Sequence, residues 1–287
     1  MGKVSTKHLQ PIGIFDSGIG GLTVWRAIHQ LLPDEPLVYL ADQAHVPYGP
    51  RPMQEVRQFS KAITRYLLDQ GSRLIVLACN TASAAALKYL RQTFPEVPFV
   101  GMEPAVKPAA VHTHSRVVGV LATPATFQGE LYASVVERFG LGVKLLQHTC
   151  PGLVEQIENG ALESKEARRI LEEALQPMLE QGIDTVVLGC THYPFVIPLI
   201  QRITGPGVRV IDPAPAVAQQ VQRLLVASNL LDLESSIQEN VPRKPRHLLH
   251  FYTTGDPTRL ESMILSLLGE KCPVEALIWS SGKLISL

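Results

Sequence analysis

Short apolar runs alternate with longer amphipathic stretches along this chain. Two of the runs, 74–78 and 185–189, consist mostly of aliphatic residues, which is typical of parallel strands buried on both faces. Stretches that favour helices fill residues 53–70, 81–94 and 165–181. The alternation predicts an α/β fold with mainly parallel sheets covered by helices.

The two halves of the chain open in the same way. An apolar run containing one glycine ends in Asp16 and Ser17 in the first half, and a similar run ends in Thr123 in the second. A cysteine follows each run after a similar interval, Cys79 in the first half and Cys190 in the second. Strand-loop-helix units look alike in any α/β protein, but the joint match of hydroxyl and cysteine positions favours a twofold internal repeat.

Prolines and glycines divide the chain into two predicted domains. Three prolines within residues 94–104 are expected to carry the chain into a second domain, and the Gly-Pro-Gly sequence at 205–207 is expected to bring it back. The tail has no cysteine loop of its own, so it is expected to complete the first domain. The predicted domains are residues 1–100 plus 208–287, and residues 101–207.

Composition excludes several classes of protein. The 26 basic and 26 acidic residues balance, whereas a nucleic-acid-binding surface needs a basic excess. No apolar run approaches the roughly 20 residues of a membrane span, and residues 1–10 lack the apolar core of a signal peptide. The four cysteines show no C-x-x-C spacing, so no metal site is expected. We therefore expect a soluble enzyme with neither a nucleic-acid nor a membrane partner; in a cytosolic protein its thiols would be reduced.

The strongest candidate chemistry lies at Cys79 and Cys190. Each follows an apolar run and so falls at the carboxyl end of a predicted strand, where open α/β sheets bind their ligands. A thiol with a reference pKa of about 8.5 can act as an acid or a base near neutral pH. Free cysteines are often inert core residues, but polar neighbours argue against that alternative here: Asn80, Thr81, Thr191 and His192.

Two further residues are candidate proton helpers. His192 follows Cys190 by two positions and could hold or relay a proton, unless it is a structural histidine. Asp16, at a strand end in the first half, could do the same near Cys79, unless it only caps a helix.

A glycine-rich loop and a turn are candidate binding elements. The loop Asp16-Ser17-Gly18-Ile19-Gly20-Gly21 fits neither dinucleotide nor P-loop spacing. Its backbone N–H groups could still bind an anion, and a carboxylate suits them as well as a phosphate. The turn Pro47-Tyr48-Gly49 could present an amide and a phenol to a ligand, or be a plain surface turn.

Together these segments closely resemble the glutamate racemase family of the aspartate/glutamate racemase superfamily. The resemblance covers nearly the whole chain. It depends on five motifs in order: Asp16-Ser17-Gly18-Ile19-Gly20-Gly21, Pro47-Tyr48-Gly49, Ala78-Cys79-Asn80-Thr81-Ala82-Ser83, Leu121-Ala122-Thr123 and Leu188-Gly189-Cys190-Thr191-His192-Tyr193-Pro194.

The resemblance implies roles for individual residues. Cys79 would deprotonate the D-isomer and Cys190 the L-isomer, assisted by Asp16 and His192. Asp42 and Glu158 fall on acidic positions typical of the family. The implied substrate-binding residues are Asp16, Ser17, Tyr48, Gly49, Asn80, Thr81, Thr123, Thr126, Thr191 and His192.

The resemblance also implies an architecture and a setting. The family has two pseudo-symmetric α/β domains with the active site in the cleft between them. Its members use no cofactor, are usually homodimers, and supply D-glutamate for peptidoglycan in the bacterial cytoplasm.

Three alternatives remain at this point. A sister racemase would act on aspartate or a hydantoin with the same two cysteines. A Cys-His-Asp acyl transferase or hydrolase would use Cys190, His192 and Asp16, but it leaves Cys79 without a role. A non-catalytic amino-acid-binding module would need no paired thiols.

Overall fold

Two mainly parallel sheets, each covered by helices, make up the computed structural model, which describes residues 10–228, 230, 249–269 and 271–286. The first sheet has the strand order β11-β10-β9-β2-β1-β3-β4, and only β11 runs antiparallel to its neighbour. The second has the order β6-β5-β7-β8 and is entirely parallel. The predicted fold class is therefore confirmed.

The strands are short and the central ones are buried on both faces. Those of the first sheet are β1 (Ile12–Asp16), β2 (Leu37–Ala41), β3 (Leu74–Leu77), β4 (Phe99–Val100), β9 (Leu249–Thr253), β10 (Val274–Ser280) and β11 (Lys283–Ser286). Those of the second are β5 (Val117–Ala122), β6 (Lys144–His148), β7 (Thr185–Gly189) and β8 (Arg209–Ile211).

Helices cover both sheets. They are α1 (Leu22–Leu31), α2 (Met53–Asp69), α3 (Asn80–Thr93), α4 (Val106–His112), α5 (Pro124–Gln128), α6 (Glu130–Phe139), α7 (Leu153–Glu158), α8 (Lys165–Glu180), α9 (Ile197–Thr204), α10 (Ala214–Ala227) and α11 (Pro257–Leu268). Several begin at a side-chain cap; Ser164, for example, accepts a hydrogen bond from Ala167 N at 3.0 Å. None of the helices in the described part of the chain is long and apolar enough to span a bilayer.

The two sheets repeat the same strand order. The order β2-β1-β3-β4 in the first corresponds to β6-β5-β7-β8 in the second, so β1 is equivalent to β5 and β3 to β7. Gly13 and Gly119 occupy equivalent positions: a Cβ there would lie 2.7 Å from Ser72 Oγ and 2.8 Å from Met178 Sδ, respectively. The predicted internal repeat is visible in the topology, and it places the two cysteines at equivalent strand ends.

The expected return of the chain at residue 208 is wrong. Strand β8 still belongs to the second sheet, because Arg209 pairs with Thr185 of β7 and donates its N–H to Asp184 O at 2.8 Å. The Gly-Pro-Gly sequence at 205–207 is only the turn between α9 and β8. The chain returns after β8, and α10 then packs on α1. We call the two sheets with their helices the first half and the second half; their division into separate domains stays a prediction.

Candidate active site

Both candidate cysteines open into one cavity at the carboxyl ends of the central strands. Cys79 follows β3 and Cys190 follows β7; they are 4% and 5% exposed. The cavity has a volume of about 10 Å³, which is room for about one water molecule. Its lining residues come from both halves: Ser17, Pro47, Tyr48, Gly49, Cys79, Asn80, Thr81, Thr123, Val154, Cys190, Thr191 and His192.

Most of the predicted site residues line this cavity, but two lie behind it. Thr126 donates or accepts a hydrogen bond with Thr123 at 2.9 Å, and Asp16 is fully buried at the end of β1. Direct contact of Thr126 and Asp16 with a substrate therefore stays a prediction. Two lining residues, Pro47 and Val154, were not predicted as binding residues.

Cys79 has surroundings that favour a neutral thiol. Burial raises its pKa well above the ordinary value, and the charges of Asp16 and Cys190 raise it further. The N–H of Ala82, which donates to Cys79 Sγ at 3.4 Å where the cysteine caps α3, only partly offsets this. Ser17 Oγ lies 3.9 Å from the sulfur. These surroundings therefore favour the protonated thiol of Cys79 at the cavity wall.

Cys190 lies beside an imidazole whose contacts favour its protonated form. His192 Nδ1 is 3.9 Å from Cys190 Sγ, and Nε2 is 2.6 Å from Glu158 Oε1. Burial alone lowers the pKa of His192, but its hydrogen bonds to Cys190 and Glu158 and the charges of Glu158 and Asp16 raise it well above the ordinary value. In its protonated form the imidazole presents an N–H to the sulfur.

Glu158 enters the glycine-rich loop of the other half. Its Oε1 also accepts a hydrogen bond from Ile19 N at 2.8 Å. A Cβ at Gly18 would lie 1.8 Å from that oxygen, and one at Gly20 would lie 2.5 Å from His192 Nδ1. Glycine at both positions therefore lets the carboxylate and the imidazole of the second half approach the backbone of the first.

The ion pair holds Glu158 in its charged form. Burial alone raises the pKa of Glu158, but the hydrogen bond and charge of His192, the N–H of Ile19 and a hydrogen bond from Gln43 lower it below the ordinary value. Two buried charges with this many donors and acceptors are mutually stabilised, and removal of either would leave the other uncompensated.

Asp16 occupies two further amides of the loop. Its Oδ2 accepts hydrogen bonds from Gly18 N and Gly21 N, both at 3.1 Å, and its Oδ1 accepts one from Thr191 Oγ1 at 3.1 Å. Burial raises its pKa, while the charge of His192 and the two amides act in the opposite direction. The loop does bind anions, but they are the protein's own carboxylates, which removes the basis for a nucleotide site.

A chain of hydroxyl groups joins the two halves on the other side of the cavity. Thr81 Oγ1, at the start of α3, lies 2.8 Å from Thr123 Oγ1, at the start of α5. Beside it, the Nδ2 and Oδ1 atoms of Asn80 are buried and have no hydrogen-bond partner among the described residues. An unpaired buried amide costs about 1–3 kcal/mol, so Asn80 is a strong candidate to bind a polar ligand.

Tyr48 is fixed by a buried carboxylate. Its hydroxyl donates to Asp42 Oδ2 at 2.6 Å, and burial together with the charge of Asp42 raises the tyrosine pKa well above its ordinary value. Asp42 also accepts hydrogen bonds from Trp279 Nε1 at 2.7 Å and Thr254 Oγ1 at 2.8 Å. The hydroxyl proton of Tyr48 is therefore used in the hydrogen bond to Asp42. The side chain of Tyr48 also lines the cavity.

Comparison with known proteins identifies the family. The family model described as Asp/Glu/Hydantoin racemase matches residues 12–221. The chain belongs to this family. A glutamate racemase of Roseiflexus sp. (strain RS-1) is 48% identical over 261 residues, which cover 91% of this chain and 93% of the relative.

Solved structures of racemases share the fold. Glutamate racemase isoform RacE1 from Bacillus anthracis has a TM-score of 0.81 at 30% identity, covering 96% of this chain and 99% of that chain. Glutamate racemase from Francisella tularensis subsp. tularensis SCHU S4 in complex with D-glutamate has a TM-score of 0.78 at 30% identity, covering 95% of this chain and 98% of that chain. The predicted resemblance is therefore confirmed.

The racemase site contains two groups to which sequence reasoning gave no role. The sequence identifies Glu158 only as an acidic position typical of the family; its place at the end of an amphipathic segment gives no sign that it enters the glycine loop. Gln43 is an unremarkable polar residue in the sequence. Within the described residues, no group of three or more His, Cys, Asp and Glu side chains could hold a metal ion.

We expect Gly20→Ala to wedge the two halves apart. The added Cβ would lie 2.5 Å from His192 Nδ1 and 2.8 Å from Thr191 Oγ1, and overpacking of this kind costs roughly 1–3 kcal/mol. The measurements are the free energy of unfolding in urea and the catalytic rate. Gly207→Ala is the control, because nothing lies within 4 Å of its added Cβ. Equal values for the two variants would refute the close approach.

Proposed function

We propose that this protein is a cofactor-independent glutamate racemase that interconverts L- and D-glutamate. The observation that carries the proposal is the pair of thiols at equivalent strand ends of two repeated halves, both lining one cavity. Removal of a Cα proton from one face and return of a proton to the other face requires such a pair. The choice of glutamate is supported by relatives that are named glutamate racemases.

From L-glutamate, the proposed reaction starts with Cys190 as the thiolate and Cys79 as the thiol. The Cys190 sulfur takes the Cα proton, so the C–H bond breaks, an S–H bond forms, and the electron pair stays on the substrate as a carbanion. Cys79 then gives its S–H proton to the opposite face of Cα. From D-glutamate the two thiols exchange roles.

The charges around the thiols support this starting state. The imidazolium of His192 adjoins Cys190, whereas burial and the nearby charge of Asp16 raise the pKa of Cys79. The repeat therefore makes the two thiols equivalent in position, while their different neighbours make their electrostatic surroundings unequal. That inequality gives one base and one acid without a metal or cofactor.

Polar groups around the cavity would stabilise the carbanion. Negative charge builds up on the α-carboxylate as the proton leaves, and fixed donors lower the energy of that state. The unpaired amide of Asn80 supports such a role, and we assign the same role to Ser17 and Thr81; the hydroxyl of Thr191 instead donates to Asp16. A cavity with room for about one water would have to widen to admit glutamate, so we also propose opening and closing of the halves.

The proposal extends to the cellular setting. By membership of the family, we propose that the protein supplies D-glutamate for peptidoglycan synthesis, acts in the cytoplasm and forms a homodimer. The balance of 26 basic and 26 acidic residues is consistent with a small-molecule substrate.

The alternatives are less well supported. A Cys-His-Asp acyl transferase would need His192 oriented by Asp16, but the carboxylate hydrogen-bonded to its Nε2 is that of Glu158. A sister racemase acting on aspartate or a hydantoin remains a matter of substrate choice, which an assay decides.

The proposed function is tested by incubating the purified protein with L-glutamate in D2O without added cofactor. We expect D-glutamate carrying solvent deuterium at Cα, because Cys79 exchanges with solvent before it donates. L-aspartate and a hydantoin are the comparison substrates. Turnover of one of these in place of glutamate, or no racemisation at all, would contradict the proposal.

Cys79→Ser and Cys190→Ser are each expected to abolish racemisation in both directions, since each face then lacks its acid or base. Cys272→Ser is the matched control, because that cysteine does not line the cavity. Circular dichroism checks the fold of all three variants. Near-normal turnover by either active-site variant would remove that cysteine from the mechanism.

Glu158→Gln should shift the pH dependence of turnover from L-glutamate. Without the carboxylate the pKa of His192 falls, so the imidazole becomes neutral at a lower pH and kcat declines earlier as pH rises. At neutral pH we expect a loss of kcat on the order of ten- to a hundredfold. Glu137→Gln, an exposed change on α6 in the same half, is the control. An unshifted alkaline limb would show that Glu158 does not set the charge of His192.

A further inference from the structure

The side chain of Gln43 connects the first half to the Glu158–His192 pair. It lies in the loop after β2, and its Nε2 donates to Glu158 Oε2 at 3.1 Å. Its other end is held in place, because Oε1 accepts a hydrogen bond from Thr253 Oγ1 at 2.7 Å. The orientation of the amide is therefore set by the end of β9, with its N–H groups facing the carboxylate.

Space for Gln43 is built into the neighbouring turn. A Cβ at Gly255 would lie 2.6 Å from Gln43 Cβ and 3.2 Å from Gln43 Oε1. Gly255 N also donates to Thr253 Oγ1 at 3.0 Å, which leaves the hydroxyl proton of Thr253 for Gln43. The turn thus fixes both the position of Gln43 and the direction of its amide.

The two oxygens of Glu158 divide their contacts between the halves. Oε1 binds His192 of the second half and Ile19 N of the first, and Oε2 binds Gln43 of the first. Two of the three donors to this carboxylate thus come from the first half. If the halves separate, Glu158 loses both of these donors. Because hydrogen bonds from donors favour the charged form of a carboxylate, the pKa of Glu158 would then rise.

We propose that Gln43 is a positioning residue for the racemisation. It keeps the Glu158 carboxylate charged and aligned on His192, so that the imidazole beside Cys190 is held in its charged form only when the two halves are closed. The inference depends on the proposed function for its kinetic consequences. Gln43 does not line the reaction cavity; it acts through Glu158.

A second cavity and other titratable groups also lie near Gln43 and Glu158. Gln43 and Glu158 also line a second cavity of about 270 Å³, so water could partly replace a missing amide. The other titratable groups that face the pair are Asp16, Tyr39 and Cys190 on the inner side and Glu155, Asp256 and Arg259 around the second cavity.

Gln43→Met removes the donor but keeps the length of the side chain. We expect kcat from L-glutamate to fall on the order of tenfold, and its alkaline limb to move to lower pH. The value of kcat/KM must fall equally in both directions, because the equilibrium constant is unchanged. Gln147→Met is the control: Gln147 donates a hydrogen bond to Tyr132 at 2.9 Å, away from the cavity. A wild-type kcat and pH profile in Gln43→Met would overturn the inference.

Gln43→Glu provides a rescue by pH. When protonated, the new carboxyl can donate to Glu158 as the amide does; when ionised, it repels Glu158 and favours its protonation. Relative to wild type, kcat should therefore be near normal at the acidic end and fall as pH rises. A ratio to wild type that does not change with pH would contradict the proposed role.

Two measurements separate this inference from the proposed function. Gln43→Met added to Glu158→Gln should cause no further loss of kcat, because Gln43 acts through that carboxylate; an additive loss would overturn the inference. Nitrogen-15 NMR of labelled histidine follows His192 without substrate, and in Gln43→Met it should titrate at lower pH than in wild type. An unchanged titration would refute the role of Gln43 even if the substrate is not glutamate.

Discussion

The buried ion pair between Glu158 and His192 is the interaction on which the site depends. Its two members belong to the second half, but its carboxylate lies in the glycine loop of the first half and takes a backbone N–H there. A buried pair of this kind is stable only while all its hydrogen bonds are made. Closure of the halves, the glycines at 18 and 20 and the charge on His192 are therefore parts of one arrangement.

Much of the fold and the positions of the two cysteines could be predicted from the sequence because they depend on local patterns. Apolar runs at β3 and β7 predict buried parallel strands, and a cysteine directly after each must lie at the ligand-binding edge of the sheet. The return of the chain could not be predicted, since a Gly-Pro-Gly turn has the same composition whether it joins α9 to β8 or one half to the other.

The supporting groups could not be predicted because they depend on contacts between distant segments. Gly18 is adjacent to Glu158 only after the halves assemble, and nothing near either residue in the sequence indicates the other. The glycine loop was open to two interpretations as an anion site. Only the folded chain shows that carboxylates of the protein, Asp16 and Glu158, occupy its amides. Local composition thus predicts that the glycine loop binds an anion, and long-range packing determines which anion it is.

Ultraviolet absorbance of the thiolate near neutral pH tests the unequal surroundings of the two thiols most directly. Thiolates absorb where thiols do not, so the free wild type can be compared with Cys79→Ser and Cys190→Ser. Because burial raises the pKa of Cys79, that thiol should contribute no thiolate absorbance near neutral pH, and Cys79→Ser should absorb like the wild type. A thiolate absorbance that is lower in Cys79→Ser than in the wild type would contradict the account.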